Sequence, residues 1–519
     1  MFRLRDRRSR SLLREFTLKH ILLILAAGLV VFIAGRQSTA SPDNNADIVV
    51  GQLQQNALSD DLAWDILASL TTEVGPRMGG TEADLLAVRW AVRKMRKLGF
   101  DRVWTEPVKF PRWVRTSESA KVFYSAPQEP QTADTSEIEK GYRNKTRLGK
   151  PVGQVLAITA LGGSPSTNGR LEAELVQFDT LEALEAASIE DVQNKIVFIS
   201  TRMRKTREGT GYHETVVNRR RGPFVAASKG ALALLIRSVG TDTDRLPHTG
   251  MMSGSEPGER VPSAAVSNAD ADNLMIMLAG EEPVVVRMNL DVGFVAEDSA
   301  GGKGAEATSY NVIGEFDGSA ELTGIILIGA HLDSWDLGTG AVDDGAGVAL
   351  VMAAAKLVSD LPVRPRYGIR VVLYANEEQG LYGAKAYAKL HEPELGNHLL
   401  GAESDMGADR IYRFKTRVSP QAEPTISRLA KQLKKLGIER DETNLAGGGP
   451  DVGEMRKLGL PVIDMNQDAN RYFDLHHTAN DTLDKINPEN LRQNLAAWVT
   501  LIYLTANSTT PFGPVEPPD

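Results

Sequence analysis

From residue 310 onward, runs of consecutive apolar residues alternate with stretches whose apolar residues recur at helical spacing. Residues 325–328 and 369–374 are apolar runs, and helical patterns follow at 348–358 and 381–390. Strands that are apolar on both faces and joined by crossover helices are typical of a largely parallel sheet covered by helices on both sides. The sequence therefore predicts an α/β fold for this part of the chain.

The chain changes character between about 126 and 300, where short β-like runs are separated by Pro and Gly. Because 519 residues exceed what one hydrophobic core usually organises, this stretch predicts an inserted β-rich domain that interrupts the α/β domain. The predicted parts are an export segment at 1–40, a first part of the α/β domain at 52–125, the insertion at 126–300, a second part at 301–510 and a loose C-terminal tail at 511–519.

The N-terminal segment carries seven basic residues before an apolar run at 21–35, and Ser38, Thr39 and Ala40 follow with the spacing of a cleavage site. This predicts a signal peptide, with an uncleaved signal anchor as the alternative. The protein would then be exported, periplasmic or secreted, and would touch a membrane only through this segment. Its removal changes the formal charge from −8 to about −14, which disfavours nucleic-acid binding.

Polar residues follow the predicted strands at the points where each strand ends. His331 and Asp333 follow the first, Glu377 and Glu378 the second, and Asp405 a third. In open α/β sheets, ligands bind beyond the carboxyl ends of the strands. Each group taken alone could be a polar turn, and Asp343-Asp344-Gly345 could equally cap a helix. Together they predict a metal site.

The residue types restrict which metal this site could hold. The chain has no cysteine, so imidazole and carboxylate groups must supply every ligand. Such a set suits Zn²⁺, with Co²⁺ or Mn²⁺ possible. Adjacent glutamates at one strand end point in different directions, so one could bind metal while the other acts as a base. That combination is what metal-assisted hydrolysis requires.

Four segments, in order, resemble the metal-binding signature of the M28 metallopeptidases: residues 329–345, 375–380, 404–405 and 477–482. The resemblance covers roughly residues 55–505 and reaches into the insertion. It implies a three-layer α/β/α zinc-exopeptidase fold with a mixed, mainly parallel sheet. It also implies that the insertion is a protease-associated domain and that the protein is a homodimer.

The resemblance further implies a role for each site residue. Asp343 would bridge two zinc ions, His331 and Asp405 would complete one, and Glu378 and His477 the other. The catalytic residues would be Glu377 as general base and Asp333 as the carboxylate that orients His331. His477 is preferred to His476 because it directly precedes a Thr. The remaining expectations are a cis peptide between Asp343 and Asp344, and substrate contacts from His476 and from Gly447, Gly448 and Gly449, where the absence of a side chain lets backbone N–H groups approach a bound peptide closely.

The activity implied by these roles is hydrolysis of peptide bonds in short peptides, by a dipeptidase or carboxypeptidase with a dinuclear zinc centre. An aminopeptidase is the close alternative, because members of the same family remove N-terminal residues with the same metal site. A non-catalytic ectodomain and a single-zinc glutaminyl cyclase are less favoured, since no ligand and no base is missing from the sequence.

Overall fold

The computed structural model describes residues 42–124, 152–252, 259–295, 306–319 and 324–516. The predicted export segment at 1–40 lies outside these residues. Among the helices that are described, none combines the length and apolar content needed to cross a membrane.

The described residues form strands β1–β16, in chain order Arg102–Pro111, Trp113–Tyr124, Val152–Leu156, Ile158–Ala160, Leu171–Phe178, Ile196–Ile199, Ala233–Arg237, Ser263–Val266, Val285–Phe294, Glu306–Phe316, Ile325–His331, Gly368–Tyr374, His398–Glu403, Ile411–Arg417, Glu439–Arg440 and Val462–Gln467. The α-helices α1–α14 are Pro42–Ala57, Leu62–Glu73, Glu82–Leu98, Leu181–Ala186, Ile189–Val192, Thr210–Arg220, Gly222–Ser228, Asn268–Leu278, Ala346–Ser359, Tyr382–His391, Glu423–Leu433, Val452–Arg456, Tyr472–Leu475 and Pro488–Ala506. Short 3₁₀ turns lie at Glu392–Asn397, Pro420–Ala422, Lys434–Leu436 and Leu483–Lys485.

The first sheet has eight strands in the order β1-β10-β12-β11-β13-β16-β14-β15. Its centre is parallel, because β11 pairs in parallel with β12 and β13, and β13 pairs in parallel with β16. Antiparallel pairs join β1 to β10, β10 to β12, and β14 to β16. The predicted mixed, mainly parallel α/β sheet is therefore confirmed.

Helices cover both faces of this sheet. On one face, Tyr387 of α10 and Val452 of α12 pack against Leu327, Val372 and Tyr374. Helix α9 packs against α2, α14 and strand β11. Its residues 346–355 are all buried, which is why this helix is apolar around its whole circumference.

A second eight-stranded sheet, in the order β3-β2-β9-β5-β6-β7-β8-β4, forms the insertion. Strand β2, which the sequence analysis assigned to the α/β domain, pairs with β3 and β9 of this sheet. The second sheet thus begins at Trp113, about a dozen residues before the expected boundary. Only Arg112 separates β2 from β1 of the first sheet. Helices α4–α8 accompany its strands, so the insertion is itself of mixed α/β composition.

The C-terminal tail is not loose over residues 511–516. The side chain of Phe512 is 3% exposed, and its carbonyl accepts a hydrogen bond of 2.7 Å from the N–H of Ser419. The Pro-rich composition of this segment suggested a loose tail, but one buried aromatic ring is enough to anchor it.

Candidate metal centre

The strand ends that were predicted to form a site do meet at one edge of the first sheet. His331 is the last residue of β11, and Glu377 and Glu378 follow β12. Asp405 follows β13, which lies on the other side of β11. Because these three strands are parallel neighbours, their carboxyl ends place all four side chains together.

The carboxylate of Asp343 lies between two imidazoles. Its Oδ1 is 3.0 Å from Nε2 of His331, and its Oδ2 is 3.2 Å from Nε2 of His477. On the first side, Oδ1 of Asp405 lies 3.6 Å from the same His331 nitrogen. On the second, Oε2 of Glu378 lies 2.9 Å from the same His477 nitrogen. The five predicted ligands thus form two half-sites that share Asp343.

Both imidazoles turn Nδ1 towards a backbone carbonyl and Nε2 towards the carboxylates of the centre. Nδ1 of His331 lies 3.1 Å from the backbone carbonyl of Asp333, and Nδ1 of His477 lies 3.1 Å from the carbonyl of Thr249. A carbonyl only accepts, so each Nδ1 donates, and Nε2 is the ring nitrogen that a metal at this centre would meet.

Two carboxylate oxygens without hydrogen-bond partners also indicate a metal site. Among the described residues, Oε1 of Glu378 and Oδ1 of Asp405 are buried without a hydrogen-bond partner. Burial raises the pKa of both carboxyl groups. An oxygen and nitrogen donor set of this kind fits zinc, and a bound cation would offset the buried negative charge.

Glu377 and Asp333 lie beside the half-sites. The carboxylate of Asp333 accepts hydrogen bonds from the N–H groups of Glu377, at 3.0 Å, and Glu378, at 3.4 Å. It lies 3.7 Å from Nδ1 of His331, farther than its own backbone carbonyl at 3.1 Å. The ring of His331 is therefore oriented mainly by that carbonyl, whereas the carboxylate holds the two glutamates.

The side chain of Glu377 itself is only half-buried, although its surroundings are strongly acidic. Desolvation raises the pKa of Glu377 well above its ordinary value, and the charges of Glu378 and Asp405 add to this effect. A carboxyl group with a raised pKa is a stronger base than an ordinary carboxylate, as proton transfer near neutral pH requires.

The segment Ala341–Gly345 separates the roles of two adjacent carboxylates. Asp343 faces the imidazoles, whereas Asp344 accepts hydrogen bonds from the N–H of Gly347 in the first turn of α9 and from the N–H of His331. The role of helix cap, which the sequence left open for residues 343–345, thus belongs to the side chain of Asp344. The expected cis peptide between the two residues is present. Asp481 accepts a hydrogen bond from the N–H of Asp343, which fixes the backbone of this segment.

His476 and His477 stack with ring centroids 3.5 Å apart, but only one of them reaches both carboxylates of its half-site. Nε2 of His476 lies 3.8 Å from Oδ2 of Asp343, compared with 3.2 Å for His477. Burial lowers the pKa of His476 well below its ordinary value, so this ring is neutral. The distances favour His477 as the ligand and leave His476 beside it.

The glycine loop after β15 does not offer the backbone donors expected of it. The N–H groups of Gly447 and Gly448 both donate to Asp464, at 2.7 Å each. A Cβ at Gly449 would lie 2.5 Å from a carboxylate oxygen of Glu403. The glycines therefore allow the loop to approach buried carboxylates closely. The N–H groups of Gly447 and Gly448 already have an acceptor, so they are not free to bind a peptide as expected.

Arg77, which follows helix α2, is a supporting residue outside the predicted site. Its side chain is fully buried and donates hydrogen bonds to the carbonyls of Leu332, Thr339 and Gly340. These carbonyls belong to the loop between His331 and Asp343. Arg77 is 255 positions away from Leu332 in the chain, so no local pattern could have shown this role.

A parallel sheet with imidazoles and carboxylates gathered at its strand ends, around a shared aspartate, defines a metal-dependent hydrolase. Comparison with known proteins is more specific. The model of peptidase family M28 matches residues 311–502. Carboxypeptidase Q from Bos taurus is 30% identical over 447 residues, which cover 86% of this chain and 85% of the relative. The chain belongs to the M28 peptidase family and is a metallo-exopeptidase.

Solved structures agree with this assignment. An M28 peptidase precursor from Shewanella amazonensis has a TM-score of 0.82 and 46% sequence identity, covering 92% of this chain and all of the other. A zinc aminopeptidase from Bacillus subtilis has a TM-score of 0.57 and 18% identity, covering 85% of this chain and 94% of that one, and shares the fold. The resemblance inferred from the motifs is thus confirmed.

The role of Arg77 can be tested with the substitution Arg77→Met, which keeps an unbranched side chain but removes the side-chain donors to the carbonyls of Leu332 and Thr339 and one of the two donors to that of Gly340. We expect the free energy of unfolding to fall by about 3 kcal/mol and the bound zinc to decrease, because the ligand loop loses its anchor. Denaturant titration and elemental analysis measure the two effects. Arg89→Met, at an exposed position of α3, is the control; equal behaviour of the two variants would contradict this role.

Proposed function

We propose that this zinc exopeptidase is dinuclear and hydrolyses short peptides, as a dipeptidase or carboxypeptidase. The observation that carries the proposal is the position of Asp343, whose two oxygens face different imidazoles. In this proposal His331 and Asp405 hold one Zn²⁺, Glu378 and His477 hold the other, and Asp343 bridges them. Co²⁺ or Mn²⁺ could occupy the same donors.

The chain's own residues would divide the work of hydrolysis. Zinc in such a centre supplies Lewis-acid activation of water and of the scissile carbonyl. Glu377 would accept the proton of the attacking water on its carboxylate and deliver it to the leaving amine. The raised pKa of Glu377 suits both steps. Asp333 would hold the backbone of Glu377 and Glu378, and thereby the positions of their side chains, through the two N–H groups that donate to its carboxylate.

Similarity over most of the chain to carboxypeptidase Q supports a carboxypeptidase or dipeptidase. An aminopeptidase is the second candidate, because a leucine aminopeptidase from Arthroderma otae is 26% identical over 299 residues. A non-catalytic ectodomain or a single-zinc glutaminyl cyclase would not need five ligand positions and a base together. Export through residues 1–40 and a homodimer belong to the proposal as well.

Three forms of one dipeptide distinguish the two candidates: free, N-acetylated and C-amidated. A carboxypeptidase needs the free carboxylate, so we expect the acetylated form to be cut and the amidated form to resist. A dipeptidase requires both free termini and would cut only the free dipeptide. An aminopeptidase needs the free amine, so it would cut the amidated form and leave the acetylated form intact. Hydrolysis is measured by release of the free amino acid. Cleavage confined to internal bonds of doubly blocked peptides would contradict every version of the proposal.

The general base is tested by Glu377→Gln, which keeps the size of the side chain and removes its basicity. We expect kcat to fall by at least about 10²–10⁴-fold while the zinc content stays that of the wild type, because only proton transfer is lost. Glu442→Gln, at an exposed position, serves as the control. Full activity of the Glu377 variant would rule this residue out as the base.

The number of ions is tested by removing zinc with a chelator and adding it back in steps. We expect two equivalents to be needed for full activity, because each half-site has its own imidazole and carboxylate. Elemental analysis and peptide hydrolysis are followed in parallel. One tightly bound equivalent that restores all activity would contradict the dinuclear centre and leave the family assignment unchanged.

A further inference from the structure

The segment at 468–478, which carries His476 and the proposed ligand His477, lies along the insertion. The N–H of Ala469 donates to the carbonyl of Arg207, and the N–H of Thr241 donates to the carbonyl of Phe473, at 3.0 and 2.9 Å. Residues 468–478 contain only the four-residue helix α13, so their own secondary structure constrains them little. The insertion supplies part of the hydrogen bonds that the segment does not make internally.

The contacts become closer at the metal ligand itself. His477 and Thr249 form a reciprocal pair, because the N–H of Thr249 donates to the carbonyl of His477, and Nδ1 of His477 donates to the carbonyl of Thr249, at 3.1 Å each. Thr249 belongs to the insertion. The hydrogen bond that sets the tautomer and the direction of the His477 ring therefore comes from the second sheet.

The position of Thr249 is determined from several sides. Its hydroxyl donates to the carbonyl of Ala160 at the end of β4, at 2.9 Å. The buried guanidinium of Arg219, on helix α6, donates to the same Thr249 carbonyl at 3.2 Å. The guanidinium of Arg115, on β2, donates to the Thr249 hydroxyl at 3.1 Å. Three elements of the insertion thus hold Thr249, and one of them, α6, bonds directly to the carbonyl that orients His477.

His248 makes the neighbouring contact. Its ring is fully buried, with Nδ1 2.7 Å from the carbonyl of His476 and Nε2 2.8 Å from a carboxylate oxygen of Asp242. Asn268 donates to the same Asp242 oxygen and keeps it in place. His248 therefore links the backbone of the histidine segment to the interior of the insertion.

Ion pairs at the surface extend this contact. In the loop after β6, the first two basic residues pair within the insertion, and the last two pair with the histidine segment at 468–478. Lys205 and Arg207 pair across to Asp474 and Asp468 of the histidine segment, at 2.6 and 2.9 Å. The other two basic residues of this loop pair within the insertion, Arg202 with Asp272 and Arg204 with Glu214.

We propose that the insertion is a positioning element of the metal centre: Thr249 and His248 hold His477 in the orientation in which it binds zinc. The His477–Glu378 half-site is then complete only when the insertion is docked, whereas the His331–Asp405 half-site is built from the first sheet alone. Thr249, His248 and Arg219 are positioning residues, since none of them is a ligand. The inference rests on the proposed dinuclear centre.

Zinc binding and docking of the insertion are thermodynamically coupled in this arrangement. If docking raises the affinity of one zinc site, zinc at that site must stabilise docking by the same factor. Groups that orient ligating histidines usually change metal affinity about 10–100-fold when removed. The coupling is therefore measurable from both sides, by zinc affinity and by the opening of contacts between the two sheets.

The main test compares zinc affinities in competition with a chelator. His248→Phe keeps a ring of similar size and removes both donors, so we expect one zinc equivalent to bind about 10–100-fold more weakly and the other to be unchanged. Lys205→Ala with Arg207→Ala should weaken the same equivalent by a few-fold, as exposed ion pairs contribute little. Arg202→Ala with Arg204→Ala removes two other exposed basic side chains from the same loop, whose partners lie within the insertion, and should leave both affinities unchanged.

Hydrogen exchange provides the reciprocal measurement on the wild-type chain. Removal of zinc should speed exchange of the Thr249 and Thr241 N–H groups, which bond to the histidine segment, but not that of the β6–β7 ladder. Equal exchange with and without zinc would overturn the proposal. Unchanged zinc affinities in a folded His248→Phe variant would also overturn it. If that variant does not fold, identical zinc affinities of the two double variants would overturn it instead. A wild type that binds fewer than two zinc ions instead contradicts the dinuclear centre.

Discussion

The carboxylate of Asp343 lies between two imidazoles in a part of the molecule where buried acidic groups are concentrated. Burial disfavours their charged forms, and burial together with Asp405 raises the pKa of Glu403 to about 8. Asp451 is buried close to Glu403, and its pKa is also raised well above the ordinary range. Such an arrangement is costly without a counter-charge, and the two half-sites around Asp343 are where divalent cations would supply it.

The surroundings of the centre limit how far its ligands can move. Asp333 accepts from the backbone of both glutamates, Asp344 ties His331 to helix α9, and Arg77 anchors the loop between His331 and Asp343. On the other side, the insertion holds His477 through Thr249. Both sheets therefore contribute to one site, and the insertion is more than a cover over a centre built elsewhere.

Some expectations depended on composition, and these were the less accurate ones. Pro-rich sequence suggested a loose tail, yet Phe512 is buried. Glycines at 447 and 448 suggested free backbone donors, yet Asp464 accepts both N–H groups. The insertion was expected to begin at about 126, yet β2 already pairs with β3 and β9 of the second sheet. In each case the outcome depends on a partner distant in the chain, about which composition carries no information.

The sequence by itself determined the α/β fold, the residue types of the centre and the strand ends on which they lie. These are local properties, because apolar periodicity defines strands and helices, and parallel strands bring their carboxyl ends to one edge. Only the tertiary structure decided which oxygen faces which imidazole, that His477 rather than His476 reaches both carboxylates, and that Thr249 orients it. His477 and Thr249 are 228 positions apart and meet through a backbone carbonyl, an atom that every residue has and no sequence pattern can mark.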